Sequence, residues 1–148
     1  MKAVEIKDLP RFSHGGIIDV ACLYTGQYQD PTIHYLAYEI GENLYVHSRK
    51  EILEFGILKF TAIRTNTFVV NTLEQYECFD YDESGINEEY GFFLLEESDY
   101  INQPDCYHFH MAYCESAFDV ICAEFSLVSI EKAKTASNAL IQYLTSKM

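Results

Sequence analysis

The sequence predicts an α+β fold: a mostly antiparallel sheet or partly open barrel, with a short helix near 49–55 and a long C-terminal helix near 129–147. Three observations predict it. Short runs rich in β-branched and aromatic residues recur to residue 128, as half-buried strands require. The three prolines, Pro10, Pro31 and Pro104, fall where such runs begin or where loops sit. From Ser129 onward the apolar period lengthens to that of a helix.

The first strong runs are 16–24 (GIIDVACLY), 32–40 (TIHYLAYEI) and 43–48 (NLYVHS). Gly41-Glu42 between the last two suits a two-residue turn with Gly first, which predicts a hairpin. Of the two faces of 32–40, the one with Ile33, Tyr35 and Ala37 is the better core. Ser48-Arg49-Lys50-Glu51 has capping-box spacing and is followed by Ile52, Leu53 and Phe55 before Gly56, which predicts the short helix. Leu58 to Arg64 and Thr67 to Leu73 then read as a second hairpin around Thr65-Asn66, and Tyr90 to Leu95, Tyr107 to Tyr113 and Phe118 to Leu127 as three further strands. For the last helix Ser129 is the expected N-cap, with Glu131 in the first turn, Lys147 in the last, and Ile130, Ala133, Ala136, Leu140, Tyr143 and Leu144 along one stripe.

The chain has 148 residues, 49% hydrophobic and 22% charged. A core of this size buries roughly 68–70% of the surface of the unfolded chain. No repeat, low-complexity block or Pro/Gly-rich linker divides it, so residues 1–148 are read as a single globular domain. The longest nearly apolar run, Gly15 to Tyr24, is interrupted by Asp19 and falls short of the roughly 20 residues a spanning helix needs. The N-terminus lacks the apolar stretch of a secretory signal, which places the chain in the cytoplasm and away from membranes. Five cysteines with no C-x-x-C pair fit free thiols in a reducing compartment.

Charge is the most informative feature. Residues 1–64 carry seven Lys or Arg against eight acids, and residues 132–148 carry three Lys and no acid. Between Arg64 and Lys132 lie 67 residues with fifteen acids and no Lys or Arg, so that stretch alone exceeds the net charge of −13 of the whole chain. It is densest from Leu73 to Tyr100, where acids alternate with Tyr and Phe. The plain reading is a solvated face over buried aromatics. The other is a docking surface: like charges clustered on the free protein repel one another, and a basic partner relieves that repulsion and is steered in by the field. On the second reading the partner-binding residues are Glu74, Glu77, Asp80, Tyr81, Asp82, Glu83, Glu88, Glu89 and Tyr90, the tyrosines supplying rigid anchors.

Chemical motifs are sparse. Cys106, His108 and His110 fall on one face if 106–110 is extended, and two imidazoles and a thiolate there form part of a zinc site if another strand contributes His34 or His47. Asp80-Tyr81-Asp82-Glu83-Ser84-Gly85 opens like an EF-hand loop, but position 12 is Gly91 rather than a bidentate Glu, which leaves an acidic turn. There is no G-x-S-x-G, H-E-x-x-H, G-x-G-x-x-G or P-loop motif, and no catalytic pair or cofactor is identified. Lys50, Lys59 and Arg64 are too diluted by acids to form a nucleic-acid groove.

The sequence therefore predicts a protein-binding inhibitor rather than an enzyme. Its most specific form is an immunity protein, whose acidic, aromatic-rich surface blocks a basic toxin that acts on nucleic acid by occupying the toxin's phosphate groove. The likeness to small acidic immunity proteins is one of charge. The alternative is a small metal-binding domain or enzyme built on Cys106, His108 and His110. Exposed Tyr and Phe also leave a homodimer open.

Overall fold

The computed structural model describes residues 2–10, 19–24, 32–40, 52–62, 69–70, 91–96, 106–113 and 116–148. These carry, in chain order, β1 (Lys2–Glu5), β2 (Val20–Tyr24), β3 (Thr32–Ile40), β4 (Leu53–Ala62), β5 (Val69–Val70), β6 (Gly91–Glu96), β7 (Tyr107–Tyr113), β8 (Ser116–Cys122), β9 (Glu124–Ala133) and α1 (Ala136–Ser146). The strands form two open sheets, ordered β1-β6-β7-β8-β5 and β2-β3-β4-β9. The α+β expectation holds, with open sheets in place of barrel closure. The chain divides into two compact units interleaved in sequence: one contains residues 1–9, 27–32 and 61–124, the other residues 10–26, 33–60 and 125–148. No helix among the described residues is long and apolar enough to cross a membrane.

The second unit has the clearer core. Tyr35 and Ala37 of β3, Leu53, Phe55 and Ile57 of β4, and Ala133 at the end of β9 pack against Ala136, Ala139, Leu140 and Tyr143 of α1. Tyr35 and Tyr143 meet at 5.9 Å between ring centroids, tilted 57°. The face of 32–40 expected to be the core is the one under the helix, but His34, Leu36 and Tyr38 on its other face are also buried. Such a strand is buried on both faces, which explains a nearly continuous apolar run in place of a clean alternation. β3 pairs antiparallel with β2, Ala21 opposite Ala37; the expected partner 43–48 and its Gly41-Glu42 turn lie outside the described residues.

Three expectations are corrected. First, Leu53 to Phe55 belong to β4, not to a helix at 49–55. Leu53, Phe55 and Ile57 are buried while Glu54 is exposed, the period of two that a strand shows; residues 49–51 lie outside the described residues. Second, β4 and β5 do not form a hairpin: β4 sits between β3 and β9, and β5 pairs with β8 in the other sheet.

Third, the last helix is not long. It spans Ala136–Ser146, eleven residues, and 129–133 continue β9. Ile130 and Ala133, spaced three apart, read as a helical stripe, but in a strand they point to opposite faces: Ile130 is 49% exposed and Ala133 is buried. Pairing with β4 overrides the local preference of this stretch for helix. Phe118 to Leu127 is likewise two strands. β7 begins at Tyr107, opposite Cys122, so the ladder with β8 ends there. The next N–H, of Ala123, donates to the Thr61 carbonyl at 2.8 Å, and the chain enters the other sheet as β9.

The N-cap is Thr135 rather than Ser129. Its Oγ1 accepts the Asn138 N–H at 3.1 Å, and the Asp19 carboxylate just before β2 accepts the Ala136 N–H at 2.8 Å. Two donors with no intrahelical partner are thereby satisfied, one by a negative charge at the positive end of the helix dipole. Thr135→Ala is expected to cost about 1 kcal/mol, and Asp19→Ala a similar amount. Urea unfolding checks both, and unchanged midpoints would show that the helix start does not depend on these caps.

Candidate functional site

In the five-stranded sheet, β7 and β8 pair antiparallel with His110 opposite Asp119 and His108 opposite Ile121. Side chains directly opposite share a face, as do residues two apart, so the register brings His108, His110 and Asp119 to one face of the sheet. The Asp119 carboxylate reaches both rings: His110 Nδ1–H donates to Oδ1 at 2.8 Å, and His108 Nε2–H donates to the same oxygen at 2.7 Å. The choice of nitrogen follows from position. The ring directly opposite uses its near nitrogen, and the diagonal ring, farther away, uses its far one.

An ionised carboxylate only accepts, so both contacting nitrogens carry hydrogen. Burial alone would raise the Asp119 pKa, but hydrogen bonds from His108 and His110, with their charges, outweigh it and lower the value below the ordinary carboxyl range. Asp119 is therefore ionised at neutral pH. The group is sealed, the side chains of His108, His110 and Asp119 being 1%, 0% and 0% exposed. Phe93 of β6, opposite His110, packs on it with ring centroids 6.1 Å apart. The opposite face is apolar: Phe92, Phe109, Met111, Phe118 and Val120 are buried there.

Cys106, expected on the same face, precedes β7 and is half-buried. It lies near Cys122, whose thiol is pushed up to about 12 by burial, with a smaller contribution from Cys106. His34, the other expected zinc partner among the described residues, belongs to β3 in the four-stranded sheet, and burial lowers its imidazole to about 4. His47 lies outside the described residues. Among the described residues no group of three or more His, Cys, Asp or Glu is arranged to hold a metal ion. The structure thus brings His108 and His110 together as expected and adds Asp119, which the sequence reading passed over as one acid among fifteen. A signal was present: Phe118-Asp119-Val120-Ile121-Cys122 sets a lone carboxylate inside an otherwise apolar strand, and a buried charge needs partners.

The expected partner-binding residues, Glu74, Glu77, Asp80, Tyr81, Asp82, Glu83, Glu88, Glu89 and Tyr90, lie outside the described residues, as does the EF-hand-like turn. Of the fifteen acids between Arg64 and Lys132, the described ones are Glu96, Asp119, Glu124 and Glu131. Glu96 and Glu124 are exposed. Asp119 is buried, and Glu131 accepts hydrogen bonds from Ser129 and Gln142. Comparison of the chain with protein-family models, curated proteins and solved structures found no match.

Proposed function

We propose that this protein is a protein-binding inhibitor that engages a basic partner through its acidic, aromatic-rich segment, and in the most specific form an immunity protein for a toxin that acts on nucleic acid. The observation that carries the reading is the stretch between Arg64 and Lys132, where 67 residues hold fifteen acids and no Lys or Arg. Asp119 is buried inside the sheet, so on this reading the docking charge is supplied by the other acids, which are densest in the sequence over residues 74–90. A nuclease groove is positive because it holds phosphates, and carboxylates interleaved with tyrosines supply the matching charge and apolar anchors without any catalytic group of their own. The histidines contribute no open reactive site to compete with this reading, because His108 and His110 direct N–H groups to Asp119 within the sheet.

The test is affinity capture from the source organism at low salt, followed by assay of the captured protein for nuclease activity with and without this chain. One cationic protein is expected, bound stoichiometrically and inhibited. Charge reversal at Asp80, Asp82, Glu88 and Glu89 should slow association by about tenfold or more and flatten its salt dependence. Reversal of the exposed Glu54, outside the segment, should leave association unchanged. Association indifferent to the four reversals would sink the assignment.

A further inference from the structure

We propose that Cys106 and Cys122 form a redox switch at the end of the β7–β8 ladder, where a small-molecule disulfide such as oxidised glutathione converts the two thiols into a reversible intrachain disulfide. Both cysteines are free thiols. β7 begins at Tyr107, whose partner across the ladder is Cys122, the last residue of β8. Cys106 immediately precedes β7 and so stands one step along the chain from the residue that faces Cys122. With roughly 5 Å between paired strands and about 3.4 Å per step along one of them, the two Cα atoms are about 6 Å apart. A disulfide spans Cα separations of roughly 4.4–6.8 Å. The influence of Cys106 on the Cys122 thiol is that of a close neighbour.

The end of the ladder makes the bond both reachable and reversible. Were the pleat continued by one residue, Cys106 would take the face of His108 and Cys122 that of Phe109, with their Cβ atoms pointing apart. Cys106 lies outside β7, however, and beyond Cys122 the Ala123 N–H is turned to the Thr61 carbonyl at 2.8 Å. Closing the bond therefore asks for a backbone rotation at Cys106, and a disulfide closed against such a rotation stores strain and is more easily reduced. That property suits a switch rather than a permanent staple. Exposure divides the roles of the two thiols. Cys106 is half-buried and within reach of a reagent, whereas Cys122 is buried, its thiol pushed up to about 12. The Cys106 thiolate attacks one sulfur of oxidised glutathione, forming a mixed disulfide and releasing one glutathione thiolate. Cys122 then gives up its proton and attacks Cys106 Sγ, expelling the second glutathione thiolate. Each released thiolate takes up the proton that one cysteine gave to solvent, so the protein is oxidised by two hydrogens and the reagent is reduced to two thiols.

The test is to incubate the reduced full chain with oxidised glutathione and map the products by chymotryptic digestion without reductant and mass spectrometry. Tyr107, Tyr113 and Phe118 let this protease separate Cys106, Cys114 and Cys122 into different peptides. A linked pair joining Cys106 to Cys122 is expected, and dithiothreitol should return it to two thiol peptides. Conversion of the Cys106 glutathione adduct to the disulfide should quicken about tenfold per pH unit, because the attacking Cys122 is almost wholly protonated and its thiolate fraction sets the rate. In the oxidised protein hydrogen exchange of the β7–β8 amides nearest the bond should slow, since the ladder can no longer fray from that end. Cys106→Ser, which leaves the buried thiol in place, should abolish both the link and the slowing, and circular dichroism verifies that it folds. A Cys106 that stays unmodified, stops at the glutathione adduct or joins another cysteine overturns the proposal, as does a linked protein with unchanged exchange. Neither cysteine lies in 74–90, so the outcome is independent of binding to a basic partner through that segment.

Discussion

Replacing Asp119 with alanine is expected to cost about 3–5 kcal/mol of folding free energy, the usual penalty for removing one member of a buried charged group. Small domains are stable by only about 5–15 kcal/mol, so the variant should be marginal or unfolded. The physical reason is that two N–H donors, His110 Nδ1 and His108 Nε2, converge on one oxygen inside a sheet where water has no access. Without that oxygen both donors lose this acceptor in a low-dielectric interior. Asp119→Asn separates charge from hydrogen bonding: its amide oxygen still accepts from both rings, but without the negative charge, so its loss should be clearly smaller than that of alanine. Urea unfolding of the three proteins ranks them, and equal stability for wild type and Asp119→Ala would show that the group contributes nothing.

The same carboxylate makes stability depend on acidity. Its pKa in the fold is lower than the ordinary value of 3.8, so the unfolded chain takes up a proton at higher pH than the folded one. The contribution of Asp119 is therefore fully present above about 3.8 and is lost as pH falls from there through the lower folded value. Wild type should lose stability in that window more steeply than Asp119→Asn, which has no such proton to bind. The difference between the two pH profiles, measured by urea unfolding, isolates this group from the other acids. Parallel profiles would contradict the hydrogen-bonded arrangement.

Gly56→Ala is expected to destabilise the four-stranded unit by about 1–3 kcal/mol, the range for overfilling a packed core. A Cβ at Gly56 would stand 2.8 Å from Cε1 and 2.9 Å from Cζ of Tyr38. That ring cannot easily move aside: Tyr38 is fully buried, and its hydroxyl donates to the Pro10 carbonyl at 2.8 Å. Space makes glycine necessary here. The control is the same substitution in a Tyr38→Leu background, where the cost of alanine should largely vanish even though the background itself is less stable. A coupling energy near zero in this double-mutant cycle would show that the Tyr38 ring does not set the requirement.

Much of the strand content was legible because burial on a pleated surface leaves a pattern in the chain. TIHYLAYEI and YHFHMAY became β3 and β7 with the expected boundaries. Pairing was not legible. Leu53-Glu54-Phe55 follows a plausible helix start and Ile130 and Ala133 sit at helical spacing, yet both stretches are strands of one sheet. Each was decided by a neighbour far away in the chain, and local propensities of a few tenths of a kcal/mol per residue yield to that pairing. The real start of α1 was equally hidden, since half of its cap comes from Asp19, 117 residues earlier.

By itself the sequence determined that strands dominate, that an apolar stripe of Ala136, Leu140 and Tyr143 belongs to a helix, that His108 and His110 share a face, and that negative charge is concentrated between Arg64 and Lys132. These are properties of composition and of local period. Only the tertiary structure decided what the two histidines face. The register of β7 on β8 set Asp119 beneath them and turned a candidate ligand pair into a sealed carboxylate–imidazole group. A register is a relation between two strands, set by how their apolar faces fit together, and no residue carries it alone.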